Sequence, residues 1–413
     1  MAPGDGEDSE RTNDVVPERR GWFELSSWFQ WKPTSAMALA QAERAMLRHI
    51  WDKIESSFVS VCNGTKQIRT VALNTQSPNT PLVMVHGMGS GVGLWSLNLE
   101  SVSQKRPVYA FDVLGFGRSS RPKFSKDPVI CEMEFVESIE EWRKAMKLDK
   151  FVLLGHSLGG YLVSAYALRY PERIKHLILV DPWGFPEKPE NRANRTPIPV
   201  WARILASFFL QFNPLSGIRA AGPWGPSLVG RFRPDLVHKF SELHEGEEVV
   251  QYIYHCNAQY PSGEAAFKSM LESFGWAKHP MIRRITDIPH SVPMTFVYGS
   301  RSWMDSGTGY EIKYLRNGSY VDVQIVKGAG HHVYADQRTA FNKVVNRIVK
   351  GAGHHVYADQ RTAFNKVVNR VCESADRSVG LQSSRQGSSL SEGPQQPPLR
   401  AGQETPAAVQ PAV

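Results

Sequence analysis

Ser157 is the residue whose neighbours most plainly suggest chemistry, lying in Gly155-His156-Ser157-Leu158-Gly159. A G-x-S-x-G run arises by chance roughly 0.1 to 0.2 times in a chain this long, so the spacing alone decides little. The context decides more. An apolar run, FVLLGH, precedes the serine, and a helical stretch, LGGYLVSAYALRY, follows it. That order describes a strand-to-helix elbow, in which a strained turn lifts the hydroxyl clear of a sheet. Gly155, Gly159 and Gly160 let the tight turn approach neighbouring backbone.

A serine hydroxyl is a poor nucleophile until a base takes its proton, so this reading requires a histidine late in the chain, after the last strand. His331, in Gly328-Ala329-Gly330-His331, closely follows VDVQIV and is the favoured base. Residues 325–347 recur identically at 348–370, which supplies His354 as an alternative, but that copy follows FNKVVNRIV, a run with helical spacing. Two copies are too few for a solenoid and read as a recent duplication or an error in assembling the sequence. His332 reads as structural, because one imidazole occupies the loop apex.

The third member should be a carboxylate just beyond the strand VPMTFVYG, where it orients the imidazole. The usual position falls on Ser302, which cannot do this, so Asp305 is the favoured acid. Asp181, at the end of the strand after the nucleophile, is the alternative. The oxyanion needs two preorganised N–H donors, expected from Leu158 and from Met88 in His86-Gly87-Met88-Gly89. The glycines of GMGSGVG lack a P-loop lysine and the dinucleotide fingerprint, so neither cofactor nor metal is expected.

Positioning these groups takes a sheet. The runs 81–87, 107–113, 150–157, 175–182, 292–299 and 320–328 each read as a buried strand. Their alternation with helical stretches predicts an α/β fold, a mostly parallel sheet with helices on both faces. Asn63-Gly64 between two alternating runs predicts an antiparallel hairpin ahead of it. The long interval before the fifth strand predicts an inserted helical cap over residues 183–291, between core segments 35–182 and 292–375. In the cap, Trp201, Phe208, Phe209, Phe212 and Trp224 suit either an acyl-chain tunnel or cap packing, and Arg231 and Arg233 either a phosphate headgroup or a solvated face.

Composition bounds the rest. Residues 1–20 are polar without signal-peptide order, residues 376–413 are a Ser-, Gln-, Pro- and Gly-rich tail, and both are expected to be disordered. No run approaches a membrane span, which places the chain in the cytoplasm by default. Cys62, Cys131, Cys256 and Cys372 are scattered without a C-x-x-C pair, as reduced thiols are. The net charge of +8 suits an anionic lipid surface better than nucleic acid, since no block of basic residues is present. Within residues 21–34, Trp22, Trp28 and Trp31 accompany Phe23, Leu25 and Phe29, the make-up of a peripheral lipid anchor, with an arm packed on its own core as the alternative.

HGMGSGVGLW, FDVLGFGRSSRP, GHSLGG, LILVDPWGFP and GHHVYADQ, with shorter matches from about Gly21 to Cys372, resemble the fourth and fifth members of the α/β-hydrolase-domain proteins of lipid metabolism. The resemblance implies two activities. One branch keeps the elbow serine and is a lysophospholipase acting on N-acyl phosphatidylethanolamine. The other carries asparagine there, is described as a lysophosphatidic acid acyltransferase, and coactivates a triglyceride lipase on lipid droplets. Ser157, Asp181, Trp224 and His332 resemble the first branch; VESIEEWR, PIPVW, Arg301 and Gly330 resemble the second. The acyltransferase label rests on an H-x-x-x-x-D pattern, here His331 to Asp336, whose histidine is the base of the hydrolase reading. The resemblance also implies attachment to lipid droplets or the endoplasmic reticulum, with a triglyceride lipase and a droplet coat protein as partners. The reading favours a serine lipid hydrolase, with acyl transfer and coactivation as alternatives.

Overall fold

The computed structural model describes residues 34–189, 215–273 and 275–351. The candidate Trp-rich anchor, His354, and Trp201, Phe208, Phe209 and Phe212 lie outside them. Helix α1 (Ala36–Leu47) comes first, with Ser35 capping it through a 3.0 Å bond from the Ala38 N–H. Strands β1 (Glu55–Val61) and β2 (Lys66–Leu73) then pair antiparallel, as the Asn63-Gly64 signal predicts. Cys62, Asn63 and Gly64 all take positive φ in the turn between them.

The core alternates thereafter: β3 (Leu82–Val85), α2 (Ser96–Ser103), β4 (Val108–Phe111), α3 (Pro128–Ala145), β5 (Phe151–His156), α4 (Leu158–Arg169) and β6 (Ile174–Val180). The region between β6 and the next sheet strand contributes α5 (Ser216–Ala220), α6 (Gly225–Phe232), α7 (Pro234–Phe240), α8 (Gly246–Ala258), α9 (Ser262–Met270) and a small pair, β7 (Leu271–Ser273) with β8 (Trp276–Ala277). The core resumes with β9 (Met294–Gly299), α10 (Gly307–Leu315), β10 (Val321–Val326), α11 (Val333–Asp336) and α12 (Arg338–Gly351).

Eight strands form one sheet in the order β1-β2-β4-β3-β5-β6-β9-β10, parallel from β4 onward. Each of the six apolar runs seen in the sequence supplies one of these parallel strands. Strands β3, β4 and β5 are buried along their whole length, because helices cover both faces. One apolar cluster lies on each face. Among the described residues no helix is long and apolar enough to cross a membrane.

A buried ionic knot fastens α1 to the sheet. Glu43 Oε1 accepts from Arg69 Nε at 3.0 Å, from Arg69 Nη2 at 2.7 Å and from Arg118 Nη1 at 2.8 Å. Glu43 and Arg69 are buried, so removing one partner would strand a charge, which costs about 3–5 kcal/mol.

Backbone packs tightly at the junction of β5 and α4. A Cβ on Gly159 would sit 2.4 Å from the Val85 carbonyl oxygen, and one on Gly155 would sit 2.4 Å from the Gly159 carbonyl oxygen. Both obstacles are backbone, which cannot rotate aside. Gly159→Ala is therefore expected to lower unfolding free energy by about 1–3 kcal/mol in urea titration. Gly217→Ala, in α5, meets nothing within 4 Å and should leave stability unchanged or slightly raised.

Candidate active site

Ser157 occupies the turn between β5 and α4 with φ 54° and ψ −119°, a conformation most side chains avoid. Three backbone bonds hold it there: its N–H donates to the Val180 carbonyl at 3.0 Å, and its own carbonyl accepts from Trp183 at 3.1 Å and Tyr161 at 3.3 Å. The strain is thus fixed by β6 on one side and α4 on the other.

His331 lies in the turn between β10 and α11. Ser157 Oγ is 3.0 Å from His331 Nε2, and His331 Nδ1 is 2.9 Å from Asp181 Oδ2. With the carboxylate as acceptor, Nδ1 carries the proton and Nε2 is free to accept the hydroxyl proton. Asp181 ends β6 with φ 44° and is wholly buried. Its Oδ1 accepts from the Gly299 N–H at 3.1 Å, and its Oδ2 also accepts from the Ser302 hydroxyl.

Asp305 is not the carboxylate against the imidazole. It is exposed, and its Oδ1 accepts from the Gly307 N–H at 2.8 Å, organising the turn that opens α10. Ser302, at the place where the sequence rule put an acid, turns out to be a donor to an acid on the neighbouring strand. The signal was available in the sequence: a hydroxyl at the usual position and an aspartate closing the strand after the nucleophile.

The glycine loop after β3 abuts the elbow. A Cβ on Gly87 would lie 3.0 Å from both Ser157 Cβ and His156 Nδ1. His86 fixes this loop as a single tautomer: Nδ1–H donates to the Gly87 carbonyl at 2.8 Å, and Nε2 accepts from the Val113 N–H at 3.0 Å. Burial pushes His86 down to about 4, so it stays neutral in this role. Asn257 Nδ2, on α8, donates to the Gly89 carbonyl at 2.8 Å, tying the same loop to the region after β6. Leu158 is the first residue of α4, where backbone N–H groups have no intrahelical acceptor.

His331 is held from behind as well. His156 Nε2 donates to the His331 carbonyl at 2.9 Å, and the Gly330 N–H donates to Asp336 Oδ2 at 2.8 Å. Asp336 also pairs with Lys239 at 3.2 Å. The H-x-x-x-x-D spacing thus shapes the histidine loop, and its aspartate does not touch the imidazole that Asp181 orients. His332 is half-buried, its ring against those of His156 and Tyr334. The Arg301 N–H donates to the Ala329 carbonyl at 2.8 Å, and its guanidinium donates to the Gly328 carbonyl.

Burial, then the charges of Arg233 and Lys239, push His331 down to about 4. Burial pushes Asp181 upward, while the Ser302 hydroxyl and the Gly299 N–H pull it back toward the ionised form. Trp303, half exposed, lies with its ring 5.3 Å from the His331 ring at the outer side of the site. Trp224 is 64% exposed, so it faces outward and does not pack in the interior of its helices. Arg233 is paired with Asp235 at 2.9 Å, and Arg231 is exposed.

The alpha/beta hydrolase fold family matches residues 80–337. The chain is 51% identical to human (lyso)-N-acylphosphatidylethanolamine lipase over 333 residues, covering 81% of this chain and 97% of that protein. It is also 51% identical to rat 1-acylglycerol-3-phosphate O-acyltransferase ABHD5 over 312 residues, covering 76% and 89%. In architecture it is similar to naproxen esterase from Bacillus subtilis, with TM-score 0.56, 18% identity, and coverage of 76% of this chain and 97% of that one.

Two measurements check the geometry. Asp181→Asn should slow reaction of Ser157 with an organophosphorus probe by about 10⁴-fold, because the wrong tautomer then faces the serine, while Asp305→Asn should leave the rate within a few-fold. The rate should also rise with pH as His331 loses its proton, with a midpoint displaced below the ordinary 6.5 toward about 4.

Proposed function

The chain belongs to the alpha/beta hydrolase fold family, and from that premise we propose that it is a serine lipid hydrolase that cleaves acyl esters of (lyso)phospholipids such as N-acylphosphatidylethanolamine. The observation that carries the proposal is the unbroken hydrogen-bonded line from Ser157 through His331 to the buried Asp181. Ser157 Oγ attacks the ester carbonyl while His331 Nε2 takes its proton, and Asp181 stabilises the resulting imidazolium. The Leu158 and Met88 N–H groups receive the oxyanion, one at the head of α4 and the other in the loop against the elbow. The alcohol leaves with the proton returned by His331, giving an acyl-enzyme that water then hydrolyses by the same route.

One observation supports a phospholipid over a neutral ester: relatives at 51% identity carry names that specify acyl groups on phospholipid or glycerol phosphate. The acyltransferase names among the relatives favour a second outcome at the same site. A lysophosphatidic acid hydroxyl in place of water would take the acyl group from Ser157, with His331 again as base.

Association with lipid droplets or the endoplasmic-reticulum surface belongs to this proposal, through Trp22, Trp28 and Trp31 on the cytoplasmic side. Coactivation of a triglyceride lipase, with a droplet coat protein as a further partner, would engage Arg301 and Gly330, which sit on adjoining loops beside His331.

A fluorophosphonate probe tests the central reading. Wild type should be labelled and release fatty acid from N-acylphosphatidylethanolamine vesicles, and Ser157→Ala should do neither. Folded wild type that stays unlabelled would contradict both enzyme readings. Product formation that depends on acyl-CoA and lysophosphatidic acid would select acyl transfer.

A further inference from the structure

Trp303 stands beside the base, and the steps of acyl transfer to water leave it without a role. The loop that carries it is pinned on both flanks. The Ser300 N–H donates to the Val326 carbonyl at 3.0 Å, the Arg301 N–H to the Ala329 carbonyl at 2.8 Å and the Ser302 N–H to the Gly299 carbonyl at 3.0 Å. The Ser302 hydroxyl donates inward to Asp181 and accepts from the Met304 N–H at 3.1 Å. Met304 packs against the apolar cluster on one face of the sheet. With both neighbours anchored inward, the Trp303 ring projects toward solvent, and 55% of the residue is exposed.

The ring centre lies 5.3 Å from that of His331, with 46° between the two planes. A Cβ on Gly275, in the turn between β7 and β8, would lie 3.8 Å from Trp303 Cζ3, an ordinary contact distance. The indole therefore adjoins both the base and this hairpin. On its protein side the imidazole meets the rings of His156 and His332 and the carboxylate of Asp181. Its side chain is only 17% exposed, so the opening beside it is narrow. Among the described residues, the ring on the solvent side of that opening is Trp303.

The chemistry fixes what must pass this place. His331 Nε2 returns its proton to the oxygen of the departing alcohol, which brings that oxygen within about 3 Å of the nitrogen. The oxyanion points the other way, toward the glycine loop after β3 and the head of α4. The rest of the alcohol is thus carried past the imidazole and outward. In an acylated glycerophospholipid the alcohol is the glycerophospho part. An indole offers its glycerol C–H groups a flat apolar face while the phosphate stays in water beyond the exposed edge.

We propose that Trp303 is a specificity-determining residue that packs against the leaving alcohol, so that esters of glycerophospho alcohols are cleaved in preference to esters of small alcohols. The inference rests on the serine-hydrolase reading. Timing separates this role from support of the imidazole. The alcohol is present while Ser157 is acylated and gone when water hydrolyses the acyl-enzyme, whereas His331 serves both steps. A ring that acts on the alcohol alters acylation alone, and a ring that acts through His331 alters both.

Two substrates with the same acyl group test this in the full chain: monopalmitoyl glycerophosphoethanolamine and methyl palmitate. Trp303→Ala should lower kcat/KM for the lysophospholipid about tenfold, at the low end of what a lost apolar contact costs because the ring is half exposed. It should leave kcat/KM for methyl palmitate, and the rate at which the palmitoyl-enzyme on Ser157 is hydrolysed, unchanged. Trp303→Phe keeps a flat ring and should recover most of the loss, and thermal melting checks that both variants are folded. Equal losses on the two esters, slower hydrolysis of the palmitoyl-enzyme, or an unchanged kcat/KM for the lysophospholipid would each overturn the assignment. A wild type that cleaves neither ester overturns the serine-hydrolase reading instead, which is a distinguishable result.

Discussion

The buried carboxylate of Asp181 is the interaction on which the site depends. An ionised carboxylate out of water is costly unless donors surround it. Asp181 has three: the Gly299 N–H at the end of β9, the Ser302 hydroxyl in the following turn, and His331 Nδ1 in the turn after β10. Satisfying one charge therefore fixes the ends of three adjacent strands relative to one another. It also fixes which nitrogen of His331 faces Ser157.

The sheet carries this arrangement because β5, β6, β9 and β10 are neighbours and parallel. All four strands end on the same edge, so nucleophile, acid and base emerge together although they are far apart in sequence. The elbow adds the remaining constraint. Ser157 keeps its positive φ because the Val180 carbonyl at the end of β6 accepts its N–H, so the strand that delivers the acid also holds the nucleophile. His86 and Asn257 then fasten the loop opposite, where an oxyanion would form.

Much of this was legible in the sequence, for physical reasons. Strands buried on both faces read as continuous apolar runs, and the elbow announces itself because only glycine fits beside Ser157. His331 was legible because VDVQIV is strand-like, whereas the run before His354 has helical spacing and does form α12 up to Gly351. The acid was misread because distance along the chain was used where distance between strands decides. Ser302 and Asp181 are 121 residues apart yet directly bonded. Helix α1 and its Glu43 were not foreseen either, although Ser35 ahead of Leu39, Ala42 and Met46 gave a cap and an apolar stripe. The order β2-β4-β3 could not be read from alternation, which specifies neighbours in sequence and not in the sheet.

The account's central claim is that an acyl group resides covalently on Ser157 during turnover. Rapid quenching with a phospholipid ester, followed by intact-mass and peptide analysis of the full chain, measures this directly. The account predicts one acyl adduct, mapped to the peptide containing Ser157 and appearing before free fatty acid reaches its steady rate. Steady release of fatty acid with no adduct on that peptide, or with the adduct on another side chain, would contradict it.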